Sequence, residues 1–366
     1  MKNIIQIFLV FVSAFCFGQK DTNWYAFYNA DSTKIGYKNA DGKTMIEPKY
    51  HPFLAKNIFK NVIVVVEEDA DGNLDAYFLN KSGKIFGIDS VYVSDSEFAQ
   101  ESDGKIRFRD TKTNKAGFFD ANGNVVIPAI YSGVKDFHNG IAIVIKDAVR
   151  KCWWDDNGFQ PEYPDCEHWY WAGGKRVMIN AKNEELFEIP EHRNFSYTID
   201  YTNFKVNENP DSEIYTSYKG KDGNIYSFYS PERDFNKWFD TVFFPDFKKN
   251  KTVLPKYFYD LIAVSDNETT AWKNYKKEEY LDKNQKNVDE IFKKLEIGKF
   301  HKNIGLEDEM SNTLYFAENE LPKENLEKNT VIGFYCNTGD DFFTNNTGFE
   351  FTKIGDSFYI TSAPEF

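Results

Sequence analysis

The sequence has few cysteines, few histidines and, after its first residues, no long hydrophobic run. Among 366 residues there are 4 cysteines and 5 histidines, which leaves little material for a cysteine-rich scaffold or a metal centre. Basic residues are in the minority, with 44 Lys and Arg against 57 Asp and Glu and a formal net charge of −13. Because a nucleic-acid-binding protein needs a basic surface to neutralise phosphates, the composition disfavours nucleic acid as a partner.

Common catalytic motifs are also missing. The sequence contains no Gly-x-Ser-x-Gly nucleophile elbow, no P-loop and no dinucleotide-binding glycine fingerprint. The segments Asp222-Gly223-Asn224 and Asp340-Asp341 do not continue as calcium-binding loops and are interpreted as solvated turns. No histidine has the spacing of a metal site; the histidines are His51, His138, His168, His192 and His301. We therefore predict no catalytic residue, no cofactor and no metal ligand.

Residues 1–18 have the composition of a secretory signal peptide. Lys2 supplies the positive charge, and residues 4–15 form an apolar stretch that is shorter than the roughly 20 residues of a transmembrane helix. Small residues follow, and cleavage after Gly18 would leave Gln19 as the first residue. We expect a periplasmic or secreted protein with no transmembrane segment in the mature chain, and an uncleaved anchor is the alternative.

Export changes the interpretation of the cysteines. In an oxidising compartment Cys152 and Cys166 could form a disulfide across a short loop. Cys336 lies in an apolar, strand-like run and is expected to be buried and unpaired. A lipid anchor at Cys16 is disfavoured, because the large Phe15 precedes it where lipidation signals have a small residue.

Residues 22–195 contain a sequence repeat of about 40 residues. The clearest copies begin with Lys34-Ile-Gly-Tyr and Lys115-Ala-Gly-Phe, and each continues to a turn glycine, an apolar pair, a proline and a tyrosine. Weaker copies lie at 75–84 and 151–159. The turn glycines of the copies are Gly42, Gly83, Gly123 and Gly158.

Each copy predicts a β-hairpin. Dipeptides such as Asp41-Gly42 and Asn122-Gly123 favour hairpin turns, because Gly tolerates the positive φ that these turns need. Aromatic and β-branched residues flank the turns, as is typical of strands. A single hairpin cannot bury its apolar face alone, so the copies must pack side by side as a β-repeat array. The pattern leaves open whether the array is an open solenoid or propeller-like.

The repeated pattern, followed by Phe137-His-Asn-Gly, resembles the WG repeat family. Ile35-Gly36 and Ala116-Gly117 occupy the place where that family usually has Trp-Gly or Tyr-Gly. The resemblance is clearest at 34–66 and 115–147. It implies a β-repeat architecture and a binding or scaffolding role, with no defined ligand or cofactor.

Residues 211–366 lack the hairpin repeat, and their sequence pattern predicts a separate α+β domain. Pro231 follows a serine N-cap and opens a helix that Pro245 is expected to end. Residues 278–295 predict a second helix, and strands are expected at 331–337, 349–352 and 358–361. Helices followed by a terminal antiparallel sheet give an α+β layout. In element order alone this resembles the nuclear-transport-factor-2-like fold, which often holds a pocket.

The densest local feature is a group of aromatic residues that includes Trp153, Trp154, Trp169 and Trp171. Indole rings could stack on sugar rings or on the side chains of a partner. They could equally fill the core, because Trp153-Trp154 takes the place of the Phe118-Phe119 pair in the previous copy.

Three functions remain open at this point. The first is an exported, non-catalytic binding or scaffold protein whose partner is another protein or a cell-envelope glycan. The second is a small-ligand-binding or hydrolytic enzyme with its site in a pocket of the C-terminal domain. The third is glycan binding through the Trp-rich segment 153–171.

Overall fold

The computed structural model describes residues 21–53, 55–94, 97–152, 169–190, 200–265, 272–306, 330–337 and 347–364. The chain divides into two compact units, Met1–Glu184 and Glu185–Phe366. Each unit contains its own buried apolar clusters.

The first unit consists of short antiparallel strands. In chain order they are β1 Trp24–Tyr28, β2 Ile35–Asn39, β3 Thr44–Tyr50, β4 Ile58–Phe59, β5 Val62–Glu68, β6 Leu74–Asn80, β7 Ile85–Phe86, β8 Val93–Ser94, β9 Glu97–Phe98, β10 Lys105–Asp110, β11 Lys115–Asp120, β12 Val125–Tyr131, β13 Gly133–Val134, β14 Ile141–Lys146, β15 Val149–Cys152, β16 Trp169–Ala172 and β17 Lys175–Asn180. They pair in the orders β3-β2-β1-β4, β5-β6-β7, β8-β9, β10-β11-β12, β13-β14-β17 and β15-β16. The prediction of a mainly β protein made of antiparallel hairpins is confirmed.

The two clearest copies of the repeat have the same strand register. Counterparts lie at a constant offset in the sequence, and both copies have irregular pairing at the same places. The paired residues are Ile35 with Tyr50, Tyr37 with Ile46 and Lys38 with Thr44 in the first copy, and Ala116 with Tyr131, Phe118 with Ile127 and Phe119 with Val125 in the second. The sequence similarity of the copies therefore extends to their backbone geometry.

A glycine lies in the middle of each irregular pairing, where the neighbouring strand approaches very closely. A Cβ atom on Gly36 would be 2.4 Å from the carbonyl oxygen of Ile46, and one on Gly117 would be 2.4 Å from that of Ile127. Glycine is the residue that permits such a close approach of two backbones. The position of Gly36 and Gly117 in the repeat is therefore restricted to glycine. The position directly before it holds buried residues of different size, Ile35 and Ala116.

Several hairpin turns of the first unit share one hydrogen-bond pattern. In the second copy, the Oδ1 atom of Asp120 accepts hydrogen bonds from the backbone N–H groups of Asn122 and Asn124, both at 2.8 Å. The carbonyl oxygen of Asn124 also accepts the backbone N–H of Asp120 at 2.9 Å, and Gly123 has φ of 76°. Side-chain acceptance of this kind stabilises a turn locally. The same pattern occurs in turns that begin at Asp69, Asn80 and Asn180, and the Oδ1 atom of Asn39 accepts the N–H of Lys43 in the same way.

Adjacent copies are connected through their turns. The side-chain amide of Asn80 donates to the carbonyl oxygen of Ala121 at 3.1 Å, and the Lys84 ammonium donates to that of Asn122 at 2.6 Å.

A buried aromatic pair recurs inside the copies. Tyr37 lies edge-on to Phe59 at 5.4 Å, and their counterparts Phe118 and Phe137 lie edge-on at 4.8 Å. Each copy therefore packs its own core and bonds to the next copy.

The second unit combines strands and helices. Its strands are β18 Glu185–Ile189, β19 Asp200–Val206, β20 Tyr215–Lys219, β21 Ile225–Tyr229, β22 Phe258–Ser265, β23 Trp272–Lys276, β24 His301–Leu306, β25 Val331–Asn337, β26 Thr347–Ile354 and β27 Ser357–Ser362. Its helices are α1 Pro231–Trp238, α2 Phe244–Asn250 and α3 Lys277–Glu296, with a π-helical turn at Phe239–Phe243 and a 3₁₀ turn at Pro255–Tyr257. Two sheets have the orders β19-β21-β20 and β23-β22-β27-β26-β25-β24, and in the larger sheet β22 and β27 are parallel.

The prediction that Pro245 ends the first helix is wrong. The chain passes from α1 through the π-helical turn into α2, and Pro245 lies in the first turn of α2. A proline fits there because the first N–H groups of a helix have no acceptor within that helix. The helix ends instead at Lys251, whose backbone is left-handed with φ of 56°.

Aromatic side chains fill the interior of the second unit. The rings of Phe235 and Phe351 are 5.0 Å apart, which packs α1 on the large sheet, and Phe292 of α3 lies 5.4 Å from Phe349. All four side chains are buried.

None of the helices formed by the described residues combines the length and apolar character needed to cross a bilayer.

Candidate functional site

The structure places one of the four predicted contact tryptophans in full. Trp153 and Trp154 lie outside the described residues, and Trp169 is described only as a backbone position in β16. Trp171, on the same strand, is partly exposed and has a defined environment. Trp171 is therefore the centre of the candidate site.

Arginines and aromatic rings alternate around Trp171. The guanidinium carbons of Arg109 and Arg150 lie 5.8 and 5.5 Å from the centroid of the Trp171 ring. Those of Arg107 and Arg109 lie 4.9 and 4.8 Å from the centroid of Tyr92. A guanidinium over an aromatic face gains about 0.5–2 kcal/mol. We call Arg107, Tyr92, Arg109, Trp171 and Arg150 the arginine ladder, and it contains half of the arginines in the sequence.

The ladder brings three guanidinium groups together. Arg107 forms an ion pair of 2.6 Å with Asp136. Burial lowers the pKa of Arg150, and the positive charge of Arg109 lowers it further. The guanidinium groups of Arg109 and Arg150, which both lie beside Trp171, therefore repel each other.

Two cationic groups converge on Ser132, the residue that directly follows β12. The Nη1 and Nη2 atoms of Arg109 donate to the carbonyl oxygen of Ser132 at 3.4 and 3.3 Å, and the Lys115 ammonium donates to the Ser132 hydroxyl at 3.2 Å. The hydroxyl in turn donates to the carbonyl oxygen of Ala148 at 2.9 Å, and the Ala148 N–H donates back to it at 3.1 Å. We call Arg109, Lys115 and Ser132 the Ser132 node. Its geometry holds two positive charges in fixed positions beside a strand.

The predicted turn glycines lie where the backbone has positive φ, as far as they are described. The φ values are 81° for Gly42, 85° for Gly83 and 76° for Gly123, and Gly158 lies outside the described residues. These glycines hold hairpin geometry and have no contact that points to a ligand.

The cysteine predictions are only partly accessible to the structure. Cys152 is described as a backbone position of β15 that pairs with Trp169, and Cys166 lies outside the described residues. The disulfide between them therefore stays a prediction. Cys336 is buried and free, and burial raises the pKa of its thiol to about 12, which makes a reactive thiolate unfavourable.

Histidines and acidic residues do not cluster in the part of the chain that the structure describes. There, no group of three His, Cys, Asp or Glu residues could hold a metal ion. The Nδ1 atom of His51 accepts the backbone N–H of Phe53 at 3.0 Å. Asp222 serves its own turn, accepting the side-chain amide of Asn224 at 2.8 Å and the hydroxyl of Tyr226 at 2.7 Å.

A groove of about 840 Å³ lies beside α3 in the second unit. Its most connected polar group is Asp289, which accepts hydrogen bonds from the Thr252 hydroxyl at 2.8 Å, the Val253 N–H at 2.7 Å and the Gln285 amide at 2.9 Å. These bonds fasten α3 to the segment after α2. The Asp289 carboxylate therefore stabilises the wall of the groove through three hydrogen bonds within the fold.

Sequence reasoning found Trp171 but missed the arginines beside it. Arg107 and Arg109 lie on β10, Arg150 on β15 and Trp171 on β16, so no local pattern joins them. One signal was available, because arginine is rare in this sequence beside lysine and two arginines occur shortly before the second copy.

Comparison with known proteins gives one match. The family model described as WG containing repeat matches residues 117–148. These residues run from β11 to the segment after β14 and include Ser132. No curated protein and no solved structure matches the chain, so the nuclear-transport-factor-2-like comparison of the second unit stays a prediction. The register shared by two copies and the match to one of them agree, and residues 117–148 are a WG containing repeat.

Proposed function

We propose that the protein is an exported, non-catalytic binding or scaffold module, in which WG-like β repeats form the recognition platform. The observation that carries this proposal is the arginine ladder, whose central residue Arg109 donates hydrogen bonds to Ser132 of the matched repeat. Arginine and aromatic residues are enriched at the centres of recognition surfaces, because they offer large contact areas and several hydrogen-bond donors. Here a hairpin frame holds them in place.

The bonds between neighbouring copies support an array of stacked repeats. Asn80 and Lys84 bond to the turn that contains Ala121 and Asn122, so these turns lie next to each other. In repeat proteins each unit is stabilised by its neighbour, which yields an extended and rigid surface. Such a surface suits binding better than a reaction that needs a closed site.

The packing of the second unit supports an α+β domain with a structural role. Phe235 of α1 and Phe292 of α3 lie against the large sheet, as expected when helices cover a sheet. The aromatic interior and the engaged Asp289 carboxylate favour binding in the first unit over hydrolysis in the second. An enzyme pocket would instead bring together polar groups with shifted pKa values.

The surroundings of Trp171 favour a protein partner over a glycan. Two guanidinium groups lie over its ring, so a sugar would have to displace a cation before it could stack. A partner that supplies acidic groups would keep those contacts and add ion pairs.

Export is supported by the composition of residues 1–18. Mass spectrometry of the mature protein from its native cell tests it. Cleavage after Gly18 leaves Gln19 as the first residue, and recovery of a chain that still begins at Met1 would contradict export by cleavage. A non-reducing digest of the same sample tests the disulfide between Cys152 and Cys166.

Cross-linking in native envelopes tests the binding function. With the full chain and a lysine-reactive cross-linker, we expect cross-links to a partner to map to lysines of the first unit, such as Lys112 and Lys135, which are both exposed. Partner cross-links confined to residues 185–366, or turnover of a small molecule by the purified chain, would overturn the proposal.

A further inference from the structure

The first copy of the repeat neutralises its lysines. Lys34 forms an ion pair of 2.9 Å with Glu68, and Lys49 forms one of 3.1 Å with Glu67. Both carboxylates lie at the end of β5, which runs beside β3 in this copy. The outer face of the first copy is therefore balanced in charge.

One backbone hydrogen bond aligns the second copy with the first. The N–H of His51 donates to the carbonyl oxygen of Val66 at 2.8 Å, and the N–H of Ser132 donates to that of Ile145 at 2.7 Å. β14 is thus the counterpart of β5. The counterpart of Lys34 is Lys115, because each stands directly before the first paired residue of its hairpin.

In the second copy the two ion pairs of the first copy are not kept. The counterpart of Glu67 is Lys146, one residue after the Ile145 that receives the Ser132 hydrogen bond, and the counterpart of Glu68 is Asp147, which does not pair with Lys115. Arg109 occupies the place of Tyr28, since they pair with Ala116 and Ile35 respectively. Within the described chain, no carboxylate lies within ion-pair distance of the Lys115 ammonium or the Arg109 guanidinium.

The strand that leads to the Ser132 node is apolar on its exposed side. Val126 is 42% exposed and Ile130 is 55% exposed, and Pro128 between them is also exposed. The counterparts of Pro128 and Ile130 in the first copy are Glu47 and Lys49, which are charged. We call Val126, Pro128 and Ile130 the apolar stripe.

The apolar stripe leads to the Ser132 node, because Val126, Pro128, Ile130 and Ser132 are alternate residues of one segment and Arg109 and Lys115 bond to Ser132. From Val126 to Ser132 an extended chain covers about 20 Å, which a peptide of about six or seven extended residues can span. Exposed apolar residues beside fixed cations match a segment whose apolar side chains are followed by carboxylates.

We propose that the outer face of the second copy is the docking site for an extended, acidic peptide segment of a partner protein. Alternate apolar side chains of the segment pack on the apolar stripe, and its carboxylate accepts hydrogen bonds from Arg109 and Lys115 at the Ser132 node. Pro128 offers no N–H, so recognition depends on side chains more than on a continuous β-ladder. This inference rests on the proposed binding function and names the class of partner.

A labelled peptide tests the site in the full chain. The probe is the fluorescein-labelled nonapeptide Glu-Glu-Val-Thr-Val-Thr-Val-Glu-Glu, whose acids at both ends allow either direction, and binding is followed by fluorescence anisotropy. Lys115→Gln removes one cation, Arg109→Gln removes the other, and Ile130→Thr removes part of the apolar stripe. The matched control is Lys34→Gln, which removes the equivalent lysine of the first copy.

We expect Lys115→Gln and Arg109→Gln each to weaken binding by about fivefold, the upper range for one partly exposed ion pair. Ile130→Thr should weaken it as well, Lys34→Gln should leave it unchanged, and a peptide with Gln in place of Glu should lose affinity. Thermal melting of each variant tests whether the fold is intact. If Arg109→Gln unfolds, the comparison of Lys115→Gln with Lys34→Gln still tests the site.

Three results would overturn the proposal. One is equal affinity of the Lys115→Gln and Lys34→Gln variants, and another is equal affinity for the Glu and Gln peptides. The third is self-association of the wild type in sedimentation that Lys115→Gln abolishes, because the occupant would then be a second copy of the chain. If the peptide fails while envelope cross-links still map to the first unit, this site is wrong and the binding function stands.

Discussion

A Cβ atom on Gly117 would lie 2.4 Å from the carbonyl oxygen of Ile127, and Gly36 has the same relationship to Ile46. Neither glycine is among the residues with positive φ. The close backbone of the neighbouring strand, not the local dihedral angle, therefore requires glycine at this position. The irregular pairing that brings the strands together is the feature the two copies share.

Replacing Gly117 by alanine should lower the free energy of unfolding by about 1–3 kcal/mol, because the new methyl group forces the paired strands apart. Denaturant unfolding of the full chain measures the change. Gly83→Ala is the matched control, since a Cβ there meets nothing within 4 Å and only the cost of a positive φ remains. An equal loss in both variants would show that the close approach does not determine the glycine.

Gly123 combines a positive φ with a packed environment. Its φ is 76° and that of Gly83 is 85°, but a Cβ on Gly123 would lie 2.6 Å from the Phe86 ring. Gly123→Val should therefore cost about 1–3 kcal/mol from backbone strain and crowding. Gly83→Val should cost less, because its surroundings are open. If Gly123→Val melts at the wild-type temperature, the register of the hairpin between β11 and β12 is wrong.

Local features of the fold could be predicted from the sequence, because the residues that determine each hairpin turn lie within the turn itself. The turn at Asp120–Asn124 is held by an aspartate side chain and a glycine that both lie within five residues. The turn at Asp69–Asn73 follows the same rule, yet it lies between two copies of the repeat and the repeat pattern does not include it. Local rules also misplace a boundary at Pro245, where a π-helical turn lets the next helix start.

The candidate site could not be predicted in the same way, because it depends on contacts between distant strands. Arg109 and Trp171 come together only once β10 and β16 are placed in the fold. The charge difference between the copies depends equally on which strand runs beside Lys115. The repeat aligns Lys34 with Lys115 in the sequence, but only coordinates show that Lys34 pairs with Glu68 and that Lys115 donates to Ser132 instead.

Asp120 should make the stability of the first unit depend on acidity. Burial opposes the charged form, but hydrogen bonds from the Asn124 side chain, Asn124 N–H and Asn122 N–H outweigh it, so the pKa lies below the ordinary value of 3.8. A lowered folded-state pKa contributes stability that is present above pH 4 and is lost as the pH falls through the folded pKa.

The variant Asp120→Asn should keep the turn and lose this acid dependence. Asn80 shows that an amide oxygen can accept the same two backbone N–H groups, at 3.1 and 3.0 Å from Ser82 and Lys84. Melting temperatures of wild type and variant should converge as the pH falls from 7 to below 4. Curves that stay parallel over that range would show that the Asp120 carboxylate does not titrate with folding.

In the second unit, Lys353 joins the large sheet to the start of α1. Its ammonium bonds to the Asp234 carboxylate at 2.5 Å and to the Tyr229 hydroxyl at 3.0 Å, and the side chains of Lys353 and Asp234 are only 26% and 15% exposed. Asp234→Asn leaves the ammonium poorly neutralised and should cost more than Lys353→Met, which removes the charge and keeps the packing. Denaturant unfolding ranks the two, and the reverse order would show that the ammonium does not depend on Asp234.

Glu101 is buried, at 3% exposure, and connects the segment before β10 to the start of β5 in the first copy. Its carboxylate accepts the N–H of Asn61 at 2.6 Å, the N–H of Val62 at 2.8 Å and the Asn61 side-chain amide at 2.8 Å. Glu101→Ala leaves buried donors without an acceptor, each of which costs about 1–3 kcal/mol. We therefore expect a loss of at least about 2 kcal/mol, and a smaller loss for Glu101→Gln.

Hydrogen exchange locates the effect of Glu101 within the chain. The amide protons of Asn61 and Val62 should exchange faster in Glu101→Ala than in wild type, because their acceptor is gone. Glu97→Gln is the control, since Glu97 pairs with Lys56 at 2.6 Å but its side chain is 61% exposed, and such a pair contributes at most about 1 kcal/mol. Unchanged exchange at Asn61 and Val62 would show that Glu101 does not hold the start of β5.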